Sequence, residues 1–135
     1  MDKLGVVTVN IKDLSVRAWV ADERDEQAKG LMFVTAEELA PLGDGTERGM
    51  LFAYRRDQSL GFWMKNTVID LDIAYIRQDG SIIQTFTMTA LRTTPYVPRS
   101  AYRYALEVNA GVFEREGVGE GDHVEIPESV LKQPR

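Results

Sequence analysis

The chain has 135 residues, 44% of them hydrophobic and 27% charged, with no cysteine and a formal net charge of −5. That length suits one domain around one core, and the missing cysteine excludes disulfides, thiolate nucleophiles and Cys-ligated zinc or iron–sulfur centres. Six acids stand against Arg115 alone between positions 114 and 128, so a phosphate backbone is repelled there; with no long basic run elsewhere, nucleic acid is not an expected partner.

The opening residues, Met1-Asp2-Lys3-Leu4-Gly5, lack the apolar stretch of a signal peptide. The compartment is therefore periplasm or cell envelope if a leader was removed, and cytoplasm otherwise. Residues 6–11 are rich in β-branched side chains, and after Lys12-Asp13 the apolar Leu14, Val16, Ala18 and Val20 alternate with Ser15, Arg17, Trp19 and Ala21. This period of two predicts a hairpin. The period then changes. Asp22 is placed to cap a helix that Gly30 ends, and Thr35 with Glu38 has capping-box spacing for a second short helix closed by Pro41. Both predicted helices fall within about 22–42.

Beyond them the pattern is β. Residues 50–54 are apolar, 55–58 predict a polar turn, and 60–67 and 71–76 predict strands. Asp79-Gly80 predicts a hairpin of type I′ before a return strand at 82–87. Pro95 and Pro98 mark an irregular loop, with Arg92, Arg99 and Arg103 a basic concentration around it. Tyr102, Tyr104, Leu106 and Val108 predict another strand, residues 111–116 a helical turn, and 123–126 a last strand. No apolar run approaches the roughly 18 residues that cross a bilayer, so no transmembrane segment is expected. The fold class predicted is mainly β: an antiparallel β-sandwich, jelly-roll-like or barrel-like, with one or two short helices.

Six spaced motifs carry a resemblance. They are Gly30-Leu31-Met32-Phe33, Gly49-Met50-Leu51-Phe52, Phe62-Trp63-Met64-Lys65-Asn66-Thr67 followed by Leu71-Asp72-Ile73, then Asp79-Gly80, Leu106-Glu107-Val108-Asn109-Ala110-Gly111 and Gly121-Asp122. In this order, over about 6–126, the chain resembles domain-of-unknown-function family 192 of bacteria and archaea. The chain departs from the family's pattern at Val34, where a basic residue is common, and at Thr94-Pro95-Tyr96, where a Pro-Cys pair is common. The resemblance implies a jelly-roll-like β-sandwich and no established activity. The export signals of many members imply the cell envelope.

The 62–67 string is the strongest candidate for a binding site. As a strand it would turn Trp63, Lys65 and Thr67 to one face, where the lysine would line a pocket beside an aromatic platform, and Asn66 would offer its amide. The plainer alternative is that Lys65 snorkels and Asn66-Thr67 begin a turn. Asp72 and Glu107 each interrupt an apolar strand. In a one-sided sheet both face solvent; on a shared concave face they would join Lys65 as an acid–base set. His123, the only histidine, lacks the partners of a catalytic triad or a metal site and is read as exposed or structural. Met32, Met50 and Met64, near aromatic residues, are read as core.

The leading expectation is a non-enzymatic binding or accessory domain. It would hold a small molecule, saccharide or peptide near the 62–67 string, using Trp63, Lys65, Asn66, Thr67, Asp72 and Glu107, with no metal and no cofactor. Two other classes compete. One is a hydrolase or lyase acting through Lys65, Asp72 and Glu107; the other is a structural module that pairs through a sheet edge.

Overall fold

The N-terminal alternation forms the expected hairpin. Strands β1 (Val6–Ile11) and β2 (Leu14–Ala21) pair antiparallel, with Ile11 opposite Leu14 across Lys12-Asp13. Leu14, Val16, Ala18 and Val20 share one buried face, as a period of two requires. The computed structural model describes residues 4–131, so the leader reading at Met1, Asp2 and Lys3 lies outside the described residues.

Helix α1 (Arg24–Lys29) follows, and Gly30 ends it at φ 51. Its cap is Glu23 rather than Asp22: the Glu23 amide donates to Glu26 Oε1 at 3.1 Å. The Thr35–Glu38 box also forms, Thr35 N donating to Glu38 Oε1 at 2.9 Å and Glu38 N to Thr35 Oγ1 at 3.2 Å. It closes only turns and no second helix. A capping box satisfies two amides, but too few residues follow before Pro41 to repay helix nucleation.

Residues 22–46 form the long crossover that a parallel pair demands, delivering β3 (Glu47–Gln58) alongside β2 in parallel register. The polar turn expected at 55–58 is instead the end of this strand, which bulges between Ala53 and Gln58. Strands β4 (Leu71–Ile76), β5 (Ile82–Met88) and β6 (Tyr102–Asn109) complete one six-stranded mixed sheet of order β1-β2-β3-β6-β4-β5, antiparallel except for β2 with β3. The β4–β5 hairpin turns where Asp79-Gly80 predicts it. Only Gly80 takes positive φ, at 93°, and Gly80 N donates to Arg77 O, so the turn is type I with a glycine bulge, not type I′.

Helix α2 (Val112–Glu116) and the unanticipated α3 (Glu128–Leu131) follow β6. The last expected strand reduces to isolated bridges at His123 and Glu125. Among the described residues the strands form no closed barrel, and the expectation of a mainly β, sandwich-like domain with few helices holds. No described helix is long and apolar enough to cross a membrane.

Both faces of the sheet are covered. One face packs Val16, Leu51, Ala74, Leu106 and Val108 under Val112, Phe113, Val118 and Val124. The other packs Met50, Phe52, Ile73, Tyr75 and Ala105 under Leu31, Val34, Leu39 and Met64. All six residues of β4 are consequently buried. A one-sided sheet with Asp72 and Glu107 in water is therefore not what forms: their exposures are 2% and 4%.

Candidate functional site

Strand β6 lies between β3 and β4, with Glu107 opposite Met50 on one side and Ile73 on the other. Its side chain falls on the Ala105 face, whereas Asp72, in register with Val108, falls on the other. Successive residues point to opposite faces, so the two carboxylates are separated by the thickness of the sheet.

On its face Asp72 is fully engaged. Thr87 Oγ1 donates to Oδ1 at 2.7 Å, and the amides of Gly111 and Phe113 donate to Oδ2 at 3.0 and 3.1 Å. It ties β5 to the start of α2, where unpaired amides need an acceptor.

Glu107 has no such company. Among the described residues no hydrogen-bond donor reaches its carboxyl group, and burial alone pushes its pKa up to about 8. It lines a cleft of about 230 Å³. Phe52 and Tyr54 of β3, Tyr102 of β6, and Phe62 and Trp63 supply aromatic walls; Gln27, Lys29 and Met32 from α1 and the turn after it lie at the same cleft. Phe52 and Phe62 meet edge to face with centroids 4.7 Å apart. Burial also raises the Tyr54 and Tyr75 hydroxyls and pushes Tyr102 up to about 12. The tyrosine hydroxyls around Glu107 therefore stay neutral at physiological pH. A wider hollow of about 690 Å³ near Asp57, Arg77 and Asp79 is lined only by exposed residues, with no buried polar group facing it.

The 62–67 string is not a strand. Its bridge from Phe62 to Tyr96 pairs it with the loop between β5 and β6 rather than with the sheet, and it turns at Lys65-Asn66. Tyr75 fixes it: Phe62 N donates to the Tyr75 hydroxyl at 2.9 Å, which donates to Tyr96 O at 2.6 Å. The Tyr102 hydroxyl donates to Leu60 O at 2.5 Å. At Gly61 a Cβ would stand 2.5 Å from Tyr96 O, so only glycine allows this approach. Phe33 N donates to Asn66 O, Leu91 N to Thr67 O and Met64 N to Arg92 O, interlocking three loops. Phe33, Asn66 and Leu91 all hold positive φ, between 57° and 67°, a cost for side-chain-bearing residues that recurs at ligand-binding loops. Phe33, Leu60, Trp63, Val68, Leu91 and Val97 are exposed on these loops.

Of the residues expected at a site, Trp63, Thr67 and Glu107 share the cleft. Lys65, Asn66 and Asp72 do not line it. Lys65 is exposed, its Nζ 5.3 Å from the Trp63 ring centroid; Asn66 forms the turn; Asp72 is on the opposite face. The acid–base set of Lys65, Asp72 and Glu107 is therefore not assembled. His123 is exposed, at a bridge with Ser81. Met50 and Met64 are core, while Met32 is partly exposed at the cleft. Among the described residues no three His, Asp or Glu side chains group as a metal site requires.

The family model described as "Uncharacterized ACR" matches residues 6–126. The chain belongs to domain-of-unknown-function family 192. A family 192 chain is thus seen here to bring four of the resemblance motifs to one cleft: Gly30, Leu31 and Met32 from the first, Phe52 from the second, Phe62, Trp63 and Thr67 from the third, and Glu107 from the fifth. Sequence reasoning missed Tyr54, Tyr102 and Gln27; the Gly30 and Gly49 motifs were the available signal for that wall. Two crystal structures share the fold. One is a protein of unknown function from Novosphingobium aromaticivorans, 33% identical, with a TM-score of 0.79 over 91% of this chain and 86% of that one. The other is a proposed transcription regulator from Sinorhizobium meliloti, 29% identical, with a TM-score of 0.78 over 90% and 94%. No curated protein matches the chain.

Proposed function

We propose that this family 192 domain binds a small molecule in the cleft between α1 and the 62–67 string, with Glu107 as its polar anchor. One observation carries the reading: the carboxyl group of Glu107, a residue 4% exposed, faces an aromatic-walled cleft with no hydrogen-bond donor among the described residues. An unpaired buried carboxyl costs several kcal/mol, and a leucine of similar bulk would fill the same place without that cost. Binding sites are where such groups persist, a few polar atoms set in apolar walls. The cleft is below the roughly 300 Å³ at which drug-sized sites begin, which favours a ligand of one ring.

The hydrolase or lyase reading has lost its second carboxylate to the opposite face. The sheet-edge reading meets partly occupied edges, where Glu125 N donates to Asn10 O and Arg99 donates to Ile83 O. An effector-binding role would be compatible with the regulator description of the Sinorhizobium relative. Direct DNA contact is disfavoured by the acidic 114–128 segment.

A thermal-shift screen of single-ring saccharides, aromatic acids, amines and nucleobases tests the proposal. A ligand at about 100 times its dissociation constant adds roughly 2.7 kcal/mol. The shift should disappear in Ala28→Trp, which obstructs the cleft from an exposed helical position, and persist in His123→Ala. A flat screen, or a shift that survives Ala28→Trp, would place the site elsewhere.

A further inference from the structure

Resting on that reading, we infer that the ligand is a primary organic ammonium with an apolar single-ring body, its nitrogen on the Glu107 carboxylate and its ring among Phe52, Phe62 and Trp63. Four observations lead there. Among the described residues no donor reaches the carboxyl group, so the complementary group arrives with the ligand. The walls are aromatic, and ring faces attract a cation while accepting an apolar ring. Lys29, the cation among the lining residues, is itself exposed, so it does not fill the buried place beside Glu107. The volume of about 230 Å³ exceeds the roughly 150 Å³ that holds a benzene ring, leaving room for a short aminoalkyl arm.

The alternatives fare worse on the same atoms. An anion would find no cation at the buried end of the cleft, because Lys29 is exposed, and could only accept from the protonated form of Glu107. A neutral alcohol would hydrogen-bond, but would gain no charge-assisted contact, which is about twice as strong. Arrival of an ammonium also favours the ionised form of Glu107. Before a ligand binds, burial keeps Glu107 mostly protonated near pH 7, so binding should release a proton from it to solvent. The titratable groups facing it are Tyr54 from β3, Tyr75 from β4 and Tyr102 from β6; all three remain neutral in this range, and Lys29 stands at the α1 side. The exchange therefore belongs to Glu107.

The test is calorimetry of the whole chain with 2-phenylethylammonium, 2-phenylethanol and 3-phenylpropanoate, in two pH 7 buffers of different ionisation enthalpy. The ammonium should bind at least about tenfold tighter than the alcohol, with net proton release, and the carboxylate should not bind. Glu107→Gln, which keeps shape and removes charge, should bring amine and alcohol to equal affinity and abolish the proton release. Equal affinities in the wild-type protein, or an amine preference that survives Glu107→Gln, overturn the inference while leaving a ligand cleft. Binding by none of the three also overturns it, and the wider screen with Ala28→Trp then decides separately whether the cleft binds anything.

Discussion

Asp72 and Glu107 lie one register step apart on neighbouring strands, in similar sequence settings, yet they are opposites in role. Asp72 faces the layer formed by α2 and the C-terminal segment, and its carboxylate accepts from Thr87, Gly111 and Phe113. Glu107 faces the layer of loops around 31–39 and 62–67, and among the described residues it has no donor. The difference lies in what covers each face. A helix start brings unpaired amides and completes a buried acid; aromatic side chains bring none. One acid is tied into the fold by three donors, and the other has none among the described residues.

That contrast can be broken at its structural end first. Asp72→Ala should lower stability by about 3 kcal/mol, because the Gly111 and Phe113 amides lose their acceptor in the interior. Urea unfolding measures it, and a loss below about 1 kcal/mol would remove Asp72 from its place as the pin between β4 and α2.

The next effect belongs to Glu107 and has the reverse character. Its carboxyl group goes from an ordinary 4.5 to about 8 on folding. Between those values the folded chain holds a proton that the unfolded chain gives up. Stability should therefore fall as pH rises through this window, with a slope approaching 1.4 kcal/mol per pH unit and levelling off above it. Glu107→Gln should flatten that part of the profile and be the more stable protein at pH 8. Parallel pH profiles for the two proteins would show a paired, structural Glu107.

The smallest effect sharpens the boundary of the cleft. Lys65→Ala should change stability by less than about 0.5 kcal/mol, because Lys65 is exposed and only overlies Trp63. It should also leave the affinity of any cleft ligand within about twofold, since a contact in water contributes little. A tenfold loss of affinity in titrations of this variant would extend the site out along the string.

Much of the fold was legible because local patterns carry it. Alternation at 14–21 marks a strand with one buried edge of side chains, Gly30 stops a helix, and Asp79-Gly80 turns a hairpin. Where the reading failed, a long-range interaction had overridden a local one. The polar residues 55–58 stay extended because β3 continues beside β6, Gln58 reaching Tyr102 across the bulge. The aromatic string 62–67 leaves the extended state because Tyr75 and the backbone of residues 33, 91 and 92 hold it in turns.

The sequence by itself therefore determined a mainly β domain of family 192, the positions of most strands, and which residues had chemistry to offer. It could not determine their grouping. A period of two says that neighbours in a strand face apart, but not which layer will cover either face; that choice is made by the crossover at 22–46 and by the segment after β6. Only the packed sheet set Glu107 among Tyr54, Phe62 and Tyr102, left Lys65 outside, and gave Asp72 its three donors. The physical reason is that burial and pairing are properties of a surrounding shell, assembled here from parts of the chain many residues apart.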